Sequence, residues 1–89
     1  MSGELTAEEN LLLEHFLAKE MSSPAGRDTV LEALAGAATG RDEQLFFNVY
    51  NVYIHARDGV VVIESDFATF EVDRVCVSIA RLKTLLSAG

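Results

Sequence analysis

Leu12, Leu13, Phe16, Leu17 and Met21 recur at the spacing of one helical face, with Glu8 and Glu9 ahead of them and Glu14, Lys19 and Glu20 between them. Residues 7 to 21 are therefore expected to form an amphipathic helix. Its start is marked by Thr6-Ala7-Glu8-Glu9, a capping box in which Thr6 and Glu9 each satisfy the other's amide. Ser22-Ser23-Pro24 ends that helix and opens the next, with Ser23 as N-cap and Pro24 as first helical residue. Val30, Leu31, Leu34, Ala37 and Ala38 form the second apolar stripe, and Gly40 supplies the stop. The short connection predicts an antiparallel helical hairpin.

From Leu45 the period changes. Residues 45–56 are rich in aromatic and β-branched types and read as one strand. Phe46, Tyr50, Tyr53 and Ile54 also fit a helical period, but Asp58-Gly59 followed by Val60-Val61-Val62-Ile63 is a strong hairpin signal of type I′. A two-residue loop there pairs Arg57 with Val60, Ala56 with Val61, Ile54 with Ile63 and Val52 with Ser65. Tyr50, Val52, Ile54, Ala56, Val61 and Ile63 then share a core face. Val49, Asn51, Tyr53, His55, Val62 and Glu64 share a mixed one, and neighbouring registers break the alternation.

Residues 70–77 read either as a third strand, with Ser78 capping a helix to about residue 87, or as the approach to a helix capped by Asp73. The strand is preferred because Val75-Cys76-Val77 starts a helix poorly. Both readings end in an amphipathic helix carrying Arg81 and Lys83 where the dipole favours them. The expected class is α+β in one domain over 1–89: a helical hairpin, a two- or three-stranded antiparallel meander and a C-terminal helix.

At 89 residues the core is thin. Cys76 is the only cysteine, so no internal disulfide can reinforce it, and a partner subunit becomes the expected support. The first residues lack a basic segment followed by an apolar one, so no signal peptide is expected. No apolar run reaches the roughly 20 residues that span a bilayer. A reduced, cytoplasmic setting without membrane association is the expectation.

Charge narrows the partners. The formal net charge is −7, with seven Lys and Arg in all. Direct nucleic-acid binding is disfavoured, because phosphate is held by cations. A basic protein suits the acidic surface better. Seven acids face two bases within residues 1–32, while only Arg81 and Lys83 carry charge after Arg74.

Chemistry is sparse. His15 lacks a ligand one helical turn on, since Lys19 stands there, and reads as a solvated helix residue. His55 lies near the hairpin tip on the mixed face. A Cys76/His55 dyad is the one conceivable nucleophilic pair, but Cys76 within an apolar run reads as a small buried hydrophobe. Glu64, Asp66, Glu71 and Asp73 lack the spacing of a calcium loop. No phosphate-binding glycine motif occurs. No catalytic residue, metal site or cofactor is assigned.

Two surfaces suggest contacts. Phe46, Phe47, Tyr50 and Tyr53 crowd a strand expected at the sheet edge, where the Phe47, Val49 and Tyr53 side needs covering. Ala7, Leu11 and Ala18 make a small second stripe on the first helix. The candidate interface joins these to Glu8, Glu14, Asp58, Glu64 and Asp66, with the strand patch as the expected contact of a symmetric homodimer. Size, acidity and layout resemble small bacterial immunity, antitoxin or phage-encoded inhibitor proteins, a likeness of shape and charge carried by no motif. It implies a non-enzymatic protein-binding regulator or inhibitor of a basic or nucleic-acid-handling partner. The alternatives are a winged-helix-like transcriptional regulator with Asp58-Gly59 as wing tip and, more remotely, a small enzyme using His55.

Overall fold

A computed structural model describes residues 5–47, 49–66 and 72–88. The capping box forms as the spacing requires: the Glu9 amide donates to Thr6 Oγ1 at 3.1 Å and the Thr6 amide to Glu9 Oε1 at 2.9 Å. It opens α1 (Ala7–Lys19), which stops two residues short of the expected end. Met21 is buried in the connection that follows. Ser23 Oγ accepts from the Gly26 amide at 3.0 Å and starts α2 (Pro24–Ala37). This connection is tight. A Cβ on Gly26 would stand 2.6 Å from the Glu20 carbonyl oxygen, so only glycine fits. Gly40, at φ +88°, turns the chain out of α2.

Four strands follow, β1 (Glu43–Phe46), β2 (Tyr50–His55), β3 (Val60–Ser65) and β4 (Arg74–Ser78), and then α3 (Ile79–Ala88). The sheet is antiparallel in the order β1-β2-β3-β4, so each strand pairs with its chain neighbour. The long strand expected over 45–56 is in fact a hairpin. The chain reverses between Phe46 and Tyr50, where the Phe47 amide donates to the Tyr50 carbonyl at 2.7 Å. The surrounding aromatic and β-branched residues hid this turn, for Asn48 is the one turn-forming residue type between Phe46 and Tyr50, and Asn51 further on gives the same signal inside a strand. The aromatic strand is therefore not an edge, because β1 flanks β2.

The β2–β3 loop is also longer than expected. His55 pairs with Val60, so four residues, Ala56 to Gly59, make the turn. Gly59 has φ +70°, but no described non-glycine residue has positive φ. A type I′ turn needs it at both central positions, and Asp58 does not supply it. The Gly59 amide instead donates to the carbonyls of His55 at 2.9 Å and Ala56 at 3.3 Å. The register shifts by two residues from the expected one, an even number. Tyr50, Val52, Ile54, Val61 and Ile63 accordingly still face the core.

The third strand forms at Arg74–Ser78 and pairs with β3. Phe70 and Glu71, its expected first residues, lie outside the described ones. Ser78 caps α3 as expected, its Oγ accepting from the Arg81 amide at 3.0 Å. The Ile79 amide donates to the Gly59 carbonyl at 2.9 Å, tying the start of α3 to the hairpin tip.

All three helices bury their stripes against one face of the sheet. Phe16 and Leu12 from α1, Val30 and Leu34 from α2, and Leu82 and Leu86 from α3 join Val52, Ile63 and Val75 in a single cluster. Each such side chain contributes roughly 1.5–3 kcal/mol of transfer energy. The first two helices do not form the expected side-by-side hairpin. The principal backbone approach of α1 is to β4, whereas α2 rests on α3, β2 and β1. The sheet's apolar face is broad enough for each helix to bury its stripe on strands, so neither needs the other.

Candidate interaction surface

Period-two alternation decides what the other face presents. On β2, β3 and β4 the buried residues strictly alternate with partly or fully exposed ones. No described helix covers that second face. Its middle row runs Gln44–Tyr53–Val62–Cys76 across the four strands, flanked by Phe46–Asn51–Glu64–Arg74 on one side and His55–Val60–Ser78 on the other. Tyr53 and Val62 are half-buried by their neighbours, Cys76 is exposed and Phe46 is 68% exposed. Phe46 and Leu11, at 52%, are the two large hydrophobic residues exposed among those described.

One corner of this face is acidic and ordered by hydrogen bonds. Asn51 Nδ2 donates to Asp66 Oδ1 at 3.1 Å and the Tyr53 hydroxyl to Glu64 Oε1 at 3.4 Å. Arg74 bridges Glu64 at 3.4 Å and Asp73 at 3.3 Å. Hydrogen bonding to Asp73, then the charges of Asp73 and Glu64, push the Arg74 guanidinium above its ordinary range, so it stays cationic. Arg74 pairs with two of the corner's three carboxylates, and Asp66 leaves the corner negative. The ion pairs of Arg74 are open to solvent on the arginine's side and contribute little to stability. What they do is hold an apolar row beside an acidic rim, an arrangement suited to a basic partner.

The expected interface residues do not form one patch. Phe47 and Val49 turn to the helical side and pack on the core, Phe47 with its ring edge to Phe16 at 6.0 Å. Tyr53 lies on the opposite face. The reason is the hairpin: once the chain reverses between Phe46 and Tyr50, Phe46 rather than Phe47 shares the face of Tyr53. Glu64 and Asp66 belong to the acidic corner. Asp58 is exposed in the β2–β3 loop, away from that corner.

On α1, Leu11 and Glu14 are exposed and Glu8 is half-buried. Glu14 and Ala18 border a shallow cavity of about 360 Å³ with Leu17, Met21, Arg27 and Leu85. Arg27 Nη2 donates to the Met21 carbonyl at 3.2 Å, and its Nε is buried with no hydrogen-bond partner among the described residues. This guanidinium braces the α1–α2 connection.

Two sequence expectations about chemistry are corrected. His15 is half-buried rather than solvated, and its Nδ1 shares a hydrogen bond with the hydroxyl of Tyr50, which is 1% exposed. Cys76 is exposed rather than buried, because Val75 and Val77 take the core face and period two turns Cys76 outward. The signal was present in the alternation of Val75-Cys76-Val77 itself. His55 and Cys76 stand two strands and one row apart, about 12 Å at ordinary strand spacing and rise, too far for a dyad. A hollow of about 310 Å³ beside His55 includes Asp42, whose Oδ1 accepts from the Ala56 amide at 2.8 Å. No group of three or more His, Cys, Asp or Glu able to hold a metal occurs among the described residues. No described helix is long and apolar enough to cross a membrane.

The fold and surface define a two-layer α+β domain with one sheet face left open. Comparison with protein-family models, with curated proteins and with solved structures gives no match.

Proposed function

We propose that this chain is a non-enzymatic protein-binding module, a regulator or inhibitor that docks a basic protein on the open face of its sheet. The observation that carries this reading is the row Tyr53–Val62–Cys76 with the exposed Phe46 beside it, rimmed by Glu64, Asp66 and Asp73. Aromatic anchors inside a polar rim are the usual anatomy of a protein interface. An aromatic sheet face would also stack single-stranded bases, but the carboxylates at its corner repel phosphate. The hairpin read as a wing supplies the two central strands of the sheet, which does not favour a winged-helix regulator. The spacing of His55 and Cys76 does not favour a nucleophilic enzyme.

The test begins with affinity capture from native cell extract and continues by calorimetry with the purified partner. Cys76→Arg places a cation in the apolar row at an exposed site, and Tyr53→Ala removes the central ring. Each is expected to weaken binding tenfold or more, roughly the truncation cost of an anchor residue, with Cys76→Arg leaving the melting temperature unchanged. A partner bound equally well by both variants would move the site off this face.

A further inference from the structure

We infer that β1 is the self-association edge of this protein, pairing antiparallel with β1 of a second copy about a two-fold axis at Leu45. The backbone phase comes first. The Phe47 amide bonds the Tyr50 carbonyl, and the Asp66 amide bonds the Val49 carbonyl. Hydrogen-bonded and non-bonded pairs alternate along an antiparallel ladder. Leu45 and Glu43 therefore direct their amides and carbonyls to Val52 and Ile54 on β2, and Gln44 and Phe46 direct theirs outward. No strand lies beyond β1, and no described group bonds the backbone of Gln44 or Phe46.

Natural edges are blunted by charge, proline, a bulge or a covering element. Here the outward-directed residues are an amide and a phenylalanine, both exposed. At the opposite edge, β4 has α1 against it and carries the charged Arg74.

Self-complementarity argues for a second copy as the occupant. Pairing about Leu45 sets Gln44 of each copy opposite Phe46 of the other, giving four backbone hydrogen bonds. Glu43 then faces Phe47 of the other copy, so no two carboxylates oppose each other along β1. The two Phe46 rings become diagonal neighbours at about 7–8 Å, within reach of aromatic side chains. Each ring is shielded on the side toward the other and stays accessible from the open face, and both sheets join into one of twice the width, with their open faces on one side. The contact is small, so the dimer dissociates on dilution.

The test is light scattering coupled to chromatography on the whole chain, from about 10 µM to about 1 mM, the range suited to a weak dimer. The mass is expected to rise from 9.7 kDa toward twice that value. Gln44→Pro removes only an outward amide, which an edge strand tolerates. It is expected to stay monomeric with an unchanged circular dichroism spectrum, and Phe46→Lys, which keeps the backbone intact, to do the same. In a Cys76→Ser background Leu45→Cys is expected to give a disulfide-linked dimer, because non-bonded partners sit about 4.5 Å apart, within disulfide reach. Phe46→Cys, on the longer diagonal, is not. A monomer throughout the series, a dimer that survives both Gln44→Pro and Phe46→Lys, or cross-linking through Phe46→Cys in place of Leu45→Cys would overturn the proposal.

Discussion

His15 on α1 and Tyr50 on β2 share a hydrogen bond at the boundary between the helical layer and the sheet. The Tyr50 ring lies edge-on to Phe16 at 5.3 Å, so its body is apolar-packed while its hydroxyl reaches the half-buried imidazole. A buried tyrosine needs such a partner for its polar tip. Burial, and then the charge of Glu20, raise the Tyr50 phenol above its ordinary value of 10.0.

A raised phenol pKa has a definite sign. The folded state holds the proton that the unfolded chain releases near pH 10, so the stabilisation is complete below that pH and is lost as pH rises through the folded value. Tyr50→Phe is expected to cost about 0.5–1.5 kcal/mol at neutral pH, the usual worth of a hydrogen bond. It should also lose less stability than wild type between pH 8 and about pH 10.5, straddling the phenol's ordinary value. Urea midpoints of both proteins at the two pH values decide the matter. Equal losses would show that Tyr50 plays no part in the alkaline transition.

Glycine-to-alanine changes are expected to differ in sign by position. At Gly36 a Cβ meets only Arg41 Cδ at 3.9 Å, so alanine's helix propensity is free to act and stability rises by about 0.5–1 kcal/mol. At Gly26 the Cβ falls 2.6 Å from the Glu20 carbonyl. Overpacking of about 1–3 kcal/mol then exceeds the propensity gain. Thermal melts of the two single variants should move in opposite directions, and a rise for both would mean that the α1–α2 connection relaxes freely.

Gly59 tests the loop. Nothing lies within 4 Å of its Cβ position, but its φ is +70°. The cost of a side chain there is purely conformational. Gly59→Val is expected to destabilise by more than about 1 kcal/mol, and Gly59→Asn by less, because asparagine tolerates the left-handed region. Equal melting temperatures for the two variants would rule out a left-handed residue at this position.

Salt is expected to act oppositely on the two associations. Binding of a basic partner to the acidic rim should weaken between about 0.05 and 0.5 M salt, chiefly through a slower on-rate. The homodimer joins two chains of formal charge −7, so screening their repulsion should tighten it. Stopped-flow and light scattering over one salt series separate the effects. A partner on-rate insensitive to salt would place the contact on the apolar row alone.

The helices were largely legible, since Thr6, Ser23, Gly40 and Ser78 are local signals read by their own neighbours. The strand faces were legible too, because a two-residue shift of register preserves every side chain's face. Strand number was not. Leu45 to Ile54 reads as one strand, and only pairing in space divides it. That division moved Phe47 and Val49 to the core and Phe46 to the open face, so the expected patch dissolved while Tyr53, Glu64 and Asp66 remained together. His15 was misread because its partner lies 35 residues away, beyond any local pattern.

The meander and the placement of α1 give the molecule two kinds of folding time. Each strand's partner is its neighbour in the chain, so the sheet can zip from hairpin to hairpin with little loop-closure entropy. The approach of α1 to β4 instead spans most of the chain, and closing so large a loop is slow. Docking of α1 is thus expected late, after the transition state. Leu13→Ala would then speed unfolding while leaving the refolding rate nearly unchanged, a split that chevron kinetics would read directly.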